Sequence, residues 1–338
     1  MVVVYSLRQE LWARRATWRR HVCTYAAMFA LPIAIQMPVL AQAPEQKPAQ
    51  ADELLHVREL VATGRMSEAI AELRPILQAN PSADAHFLMG YIDYRQQQAK
   101  ESLAEYTAGA QLRRPGPYEL KVVAEDYILL QDLPDADKWL TEVTKETPND
   151  ADAWYLLGRT KYNENSFAEA ITCFERVLEL RPKDVLAEDN LGLSQQGLGE
   201  NEKAKAAYRN AIAWQGESPR EASPFLNLGI LLLEQGSAQE ALSHLHKAVE
   251  LAPQNPKARE ELSAAYEELK MEKEAVAELE AAVKLAPEAA GPHFKLARLY
   301  RKLGMTEDAD REYAICAKLN SEHSSKATPN PPEVHRPQ

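Results

Sequence analysis

Cysteine is nearly absent: 338 residues contain three, at positions 23, 173 and 316. Cys23 lies in a leader-like segment, and the other two stand 143 positions apart, so no disulfide framework of the kind that staples small secreted domains is available. Stability has to come from packing. Glycine is sparse at 13 residues, and aromatic residues make up 7%. Runs of β-branched residues are few, while the strong helix formers Ala, Glu, Leu, Lys, Arg and Gln dominate, which speaks against a sheet-rich fold. No GxxxxGK stretch that could cradle a phosphate occurs, and the nearest glycine cluster, Gly197-Leu198-Gly199, reads as a break between helices. Positive charge is in deficit, with 39 Lys and Arg against 50 Asp and Glu. An acidic chain repels a phosphate backbone, so nucleic acid is not an expected partner.

The first 43 residues differ in kind from the rest. Arg14, Arg15, Arg19 and Arg20 precede an uncharged run, Val22 to Leu40, which ends at Ala41-Gln42-Ala43. That order of basic, apolar and small residues is the order of an export signal. Residues 1–41 are therefore expected to be removed after Ala41, with the chain exported to the periplasm or cell envelope. The same run is long enough to cross a bilayer, so an uncleaved anchor is the alternative, and the expected membrane contact, if there is one, is through this segment. Pro32, Gln36 and Pro38 weigh against it. Arg14-Arg15 suggests a twin-arginine signal, but Ala16-Thr17-Trp18 fits that pattern poorly. Cleavage would remove five Arg and one Glu, leaving 34 basic and 49 acidic residues and a net charge of −15. Residues 42–50 read as a polar linker, and 321–338, SEHSSKATPNPPEVHRPQ, as a disordered tail.

Between linker and tail the sequence repeats. Residues 152–184 read DAWYLLGRTKYNENSFAEAITCFERVLELRPKD, and 223–255 read SPFLNLGILLLEQGSAQEALSHLHKAVELAPQN. From Gly158 to Gly192 is 34 residues and from Gly192 to Gly229 is 37, the excess lying near Gly216 to Glu221. Each unit carries apolar residues at helical spacing, a break, and a second amphipathic stretch. Ala170, Ala204, Ala241, Ala275 and Ala309 recur at one phase, where two helix backbones approach closely. Phe174, Tyr208, Leu245, Leu279 and Tyr313 fill the adjacent space, and Pro182, Pro253 and Pro287 close their units.

Trp154, Leu157, Gly158, Ala170, Phe174 and Pro182 at a pitch of 34 resemble the tetratricopeptide repeat family. The usual Tyr is replaced by Lys161, with Tyr162 beside it. The resemblance implies an all-α fold, a right-handed α-solenoid of about eight helix-turn-helix units over residues 51–320, beginning near 50, 83, 117, 151, 185, 222, 256 and 290. Such units bury their faces only by stacking. With a disordered tail, the far face of unit 8 would stay partly uncovered.

Candidates for chemistry are few. His244 and His246 stand two apart and diverge on a helix, so no metal site is expected. Glu267, Glu268, Glu272, Glu274, Glu278 and Glu280 alternate with lysines and read as solvated faces rather than general acids. Cys173 has no histidine nearby in sequence and reads as filler. Trp154 sits at the family's packing position. No catalytic residue and no cofactor are expected.

Function then falls to a surface. The resemblance implies that first helices line a concave groove and point Tyr91, Tyr94, Tyr155, Arg159, Tyr162, Asn163, Asn190, Leu226, Asn227 and Ile230 into it. Apolar sockets with amides suit a protein or peptide segment, because Asn both donates to and accepts from a backbone. The lining turns acidic in unit 7 (Glu260, Glu261, Glu267) and basic in unit 8 (Lys295, Arg298, Arg301). A family subtype grips the terminal carboxylate of chaperone tails; Asn227 and Lys257 match two of its places, but Asp189, Leu193 and Glu261 occupy the others and make that activity repulsive. The expected function is a non-enzymatic interaction scaffold at the bacterial cell envelope. The alternative is a self-associating assembly subunit.

Overall fold

The computed structural model describes residues 48–327; the leader expected over 1–41 and the chain beyond Ala327 lie outside them. Among the described residues there are sixteen helices and no strand. They form eight pairs: α1 (Pro48–Ala62) and α2 (Met66–Ala79), α3 (Ala83–Arg95) and α4 (Ala99–Leu112), α5 (Pro117–Leu129) and α6 (Leu133–Glu146), α7 (Ala151–Asn163) and α8 (Phe167–Leu180). The second half continues with α9 (Val185–Gly197) and α10 (Asn201–Trp214), α11 (Ser223–Glu234) and α12 (Ala238–Leu251), α13 (Pro256–Glu268) and α14 (Glu272–Leu285), α15 (Ala290–Lys302) and α16 (Thr306–Ala327). The first helices start within two residues of the starts read from the repeats.

Local chemistry sets the boundaries. Asp150 caps α7 by accepting from the backbone N–H of Asp152 and Ala153, each at 3.0 Å; Asp184 caps α9 and Asn255 caps α13 in the same way. Each of these caps follows a proline by two positions, so the residue that ends one unit sets up the start of the next. Inside a unit the turn needs a left-handed residue. Gly64, Gly199, Gly236 and Gly304 supply it at φ between 72° and 79°, while Gln97, Gln131, Asn165 and Lys270 adopt it at φ between 60° and 62°.

Second helices bury one stripe, as in α8, where Ala170, Cys173, Phe174 and Val177 are buried. From Leu54 onward the helices form one compact body. Each second helix packs on the first helix of the next unit, and first helices also touch one another, α7 with α9, α9 with α11 and α11 with α13. First helices therefore converge and line the inner face of an all-α solenoid.

The glycine of each anchor pattern explains the large residue sixteen positions later. A Cβ on Gly158 would lie 2.8 Å from the Phe174 ring, on Gly192 2.6 Å from Tyr208, and on Gly229 2.5 Å from Leu245. Where alanine stands instead, at Ala297 in unit 8, its partner Tyr313 is only half-buried, whereas Tyr208 is fully buried. Gly192→Ala is expected to cost about 1–3 kcal/mol by overpacking, read as a lower urea midpoint with an unchanged slope.

Two boundaries differ from expectation. The linker read over 42–50 gives way to helix at Pro48, because proline suits the first helical position, where its missing N–H would be unpaired anyway. The tail read from 321 instead continues α16 to Ala327. Ser321 stands where the 34-residue phase would put another Pro287, and without that proline nothing stops the helix before the Pro-rich stretch. No large hydrophobic residue of α16 is among the exposed ones. On the face of unit 8 expected to be partly uncovered, Tyr313, Ile315 and Leu319 of α16 are half-buried rather than exposed.

Candidate functional site: the inner face

Side chains on the inner face divide into those spent holding units together and those left free. Tyr155 of α7 is half-buried against Phe174, with ring centroids 5.8 Å apart, and its hydroxyl accepts a hydrogen bond from Asn190 Nδ2 of the next unit at 3.2 Å. Asn190 also donates to the Leu186 carbonyl at 2.7 Å. One unit on, Asp189 Oδ1 accepts from Asn227 Nδ2 at 2.9 Å; further along, Glu260 accepts from Lys295 Nζ at 2.6 Å. These three bonds join the same two repeat phases where units 4 and 5, 5 and 6, and 7 and 8 meet. Asn190 and Asn227, two of the groove amides named from the sequence, are therefore partnered across units.

Asp189 is 2% exposed. Burial pushes its carboxyl up to about 6, against the hydrogen bonds from Asn227 and Ser223. Asn227 is therefore a structural partner of a buried acid, whatever else it meets. Lys257 pairs with Glu261 at 2.6 Å, so both residues that match the carboxylate-gripping pattern are already engaged by the acids that depart from it. A second cross-unit bond recurs at the outer edge of the groove. The Tyr94 hydroxyl donates to Glu125, and Arg298 Nη2 donates to Glu267 at 3.0 Å. Lys302 lies 3.6 Å from Glu272. The acidic and basic ends of the lining neutralise one another.

What remains open is smaller. Arg159 and Asn163 are exposed, and Arg159 makes no ion pair among the described residues. Tyr162 is half-buried with its ring 5.5 Å from Phe167. Leu226 packs partly into the core, and Ile230 is half-buried beside it. Near the N-terminal end Tyr91 stacks between Tyr94 at 6.1 Å and Tyr118 at 6.0 Å, with Arg95 donating to its hydroxyl at 3.1 Å. Phe87, on the same helix as Tyr91, is 5% exposed and stacks on Tyr106 at 5.7 Å. Sequence reasoning missed Tyr118, which is 57% exposed; the signal available was its place one phase from Asp84, in a unit whose anchors are weak.

Residues weighed for chemistry are accounted for by the fold. Burial pushes the Cys173 thiol up to about 12, far from a thiolate at neutral pH. His246 bonds the Tyr266 hydroxyl at 2.7 Å, and burial lowers the His244 pKa. Glu278 pairs with Arg259 and Glu280 accepts from Tyr300. Trp154 is half-buried, and its Nε1 donates to the Pro148 carbonyl at 3.0 Å. Among the described residues no cluster of His, Cys, Asp and Glu could hold a metal, and no helix is long and apolar enough to cross a membrane.

Comparison with known proteins adds the following. Family models described as tetratricopeptide repeat match residues 54–118, 151–184, 184–254 and 232–284, together more than half of the chain. Human protein O-mannosyl-transferase TMTC1 is 26% identical over 220 residues, 62% of this chain and 24% of that protein. Human protein O-mannosyl-transferase TMTC3 is 33% identical over 30% of this chain and 11% of its own length. Anaphase-promoting complex subunit CDC16 of Saccharomyces cerevisiae is 25% identical over 61% of this chain and 26% of its own. The chain thus spans between 11% and 26% of the length of these relatives.

Among solved structures, a tetratricopeptide repeat protein from Parabacteroides merdae superposes with a TM-score of 0.58 at 17% identity, covering 71% of this chain and 94% of that one. Cut9 in its complex with Hcn1 gives 0.57 at 17% identity, covering 79% and 52%. PilW, a type IV pilus biogenesis factor, gives 0.53 at 20%, covering 59% and 90%. At these identities the likeness is one of fold.

Proposed function

Because the chain belongs to the tetratricopeptide-repeat family, we propose that it is a non-enzymatic scaffold, exported to the bacterial cell envelope, whose inner face binds a segment of a partner protein. The observation that carries this reading is the division of labour on that face. The buried groups are committed to neighbouring units, while Tyr91, Arg159, Asn163 and Ile230 remain accessible on rigid helices. Rigid, partly apolar surface with a few unspent polar groups binds a peptide at low entropic cost. Tyr94, Tyr155, Tyr162, Leu226, Asn190 and Asn227 support this surface from beneath.

Export rests on the basic, apolar and small-residue order of residues 14–43. The transferase names of two relatives attach to proteins of which this chain spans 11% and 24%, too small a share to carry their activity over to it. Self-association through unit 8 stays the second reading: α16 exposes no large hydrophobic residue, but Phe294, Leu303 and Met305 of the same unit are exposed.

A photo-crosslinking residue at Arg159, introduced in the producing bacterium, is expected to trap one partner in the envelope fraction. An Ile230→Ala change should reduce that yield about tenfold, as loss of a groove contact worth about 1.4 kcal/mol would. The same probe at Arg209, on the second helix of unit 5, should trap little. Equal trapping at both positions, or trapping confined to the cytoplasm, would sink the reading.

A further inference from the structure

Two cavities open side by side on the inner face where units 1 to 4 meet. The first, about 470 Å³, is walled by α1, α3, α4 and α5; the second, about 410 Å³, by α3, α5 and α7. Their volumes are those of sites that take a side chain or small ligand. Arg95 belongs to the wall of both.

The charges around them are unequal in availability. Asp84 and Glu119, the acids of the first wall, both face Arg113, at 2.8 and 3.3 Å, and Glu119 also accepts the Gly116 N–H at 2.9 Å. Glu125, in the second wall, accepts from the Tyr94 hydroxyl. The guanidiniums are not so occupied. Arg58 makes no ion pair among the described residues, and Arg95 engages only Tyr91, donating to its hydroxyl and lying 5.8 Å from its ring centroid. With Arg113 counted, arginines and carboxylates around the two cavities are equal in number, and Arg58 and Arg95 are the guanidiniums without a carboxylate partner among the described residues, exposed beside aromatic walls. The second cavity is apolar along Ile128, Leu129 and Leu156.

We infer that the paired cavities are a two-part socket for an extended, acidic segment of a partner protein. The segment's carboxylate side chain is held by Arg58 and Arg95, and a neighbouring aliphatic side chain rests against Ile128, Leu129 and Leu156. The acid is an internal residue rather than a chain end. Arg95 stands between the cavities, so the occupant runs on past it into the second while the first extends toward Gly64 on the other side. Carboxylate–guanidinium hydrogen bonds supply the strength and direction, and the flanking rings supply area at little entropic cost. This inference rests on the inner face being the binding face.

A library of peptides of about twelve residues, fused through their C-termini so that no terminal carboxylate is free, tests it. Selection on the whole protein should enrich Asp or Glu next to Leu, Ile, Val or Met. A synthetic enriched peptide, blocked at both ends, should lose about tenfold or more in affinity with Arg58→Ala/Arg95→Ala, and equally when its acid becomes the amide. Both arginines are exposed, so helical circular dichroism should be unchanged, and Arg209→Ala should bind as the parent does. Enriched peptides without an acid, or binding indifferent to the arginine pair, would overturn the socket. Binding that survives that pair but falls with Ile230→Ala overturns the socket and leaves the inner-face reading standing; no enrichment at all overturns both.

Discussion

Replacing Tyr208 by Ala is expected to cost about 3–5 kcal/mol and to split one cooperative unfolding transition into two. Tyr208 is fully buried, its ring sits over Gly192, and its hydroxyl donates to Gln196 Oε1 at 2.9 Å. It also stands at the edge of the largest core cluster, which runs from Ala204 to Ala309 through Leu228, Leu245, Leu262 and Leu296. The cluster on its other side, Ala170, Phe174 and Leu191, belongs to units 4 and 5. In a stacked array, stability is close to a sum over units and nearest-neighbour interfaces. A void at this position weakens one interface without touching the halves on either side. Thermal circular dichroism with calorimetry should show two separated transitions, while Tyr208→Phe keeps one and loses about 1 kcal/mol for the hydrogen bond. An unchanged single transition for Tyr208→Ala would contradict the role given to this ring.

Asp189→Asn is expected to stabilise the protein at pH 7.5 by about 1–3 kcal/mol and to make no difference at pH 3.5. Burial holds the Asp189 carboxyl at about 6 against an ordinary 3.8, a gap equivalent to about 3 kcal/mol. Between those values the folded state binds a proton that the unfolded chain does not, so stability is fully present below 3.8 and is lost as pH rises through about 6. Asn at this position removes the ionisation, still accepts from Asn227 and can donate to Ser223. Buried Asp126 behaves alike: burial outweighs the bond from Ser102 and raises it to about 6. Acidification from pH 7 toward 5 should therefore strengthen the wild type at both positions. Urea titrations of variant and wild type at the two pH values measure the difference; an equal gap at both would remove Asp189 as its source.

The units were legible because their anchors are local and strict. Gly192 and Tyr208 stand sixteen residues apart in one helical hairpin, and close approach leaves little choice at either place. The cross-unit bonds were not legible. Asn190 finds Tyr155 35 residues away, and that meeting depends on how far one unit is offset against the next, which no local pattern encodes. Asn190 and Asn227 consequently read as free groove amides, although the structure spends them on Tyr155 and Asp189. Tyr118 was hidden for a different reason. Unit 3 carries Lys121 and Ala124 where its neighbours carry aromatic and glycine anchors, so its phase had to be borrowed from the units around it. Continuation of α16 past residue 320 was readable in retrospect from the serine at 321.

The recurring inner-face bonds also bear on how the array responds to force. Tyr155–Asn190, Asp189–Asn227 and Glu260–Lys295 lie where the units converge, whereas the outer pair Arg209–Glu240 is half exposed on both sides and worth little. Pulling the ends apart to flatten the curve stretches the inner bonds first and must break them, while squeezing the ends together does not. The array is therefore expected to resist opening more than closing around whatever its inner face holds.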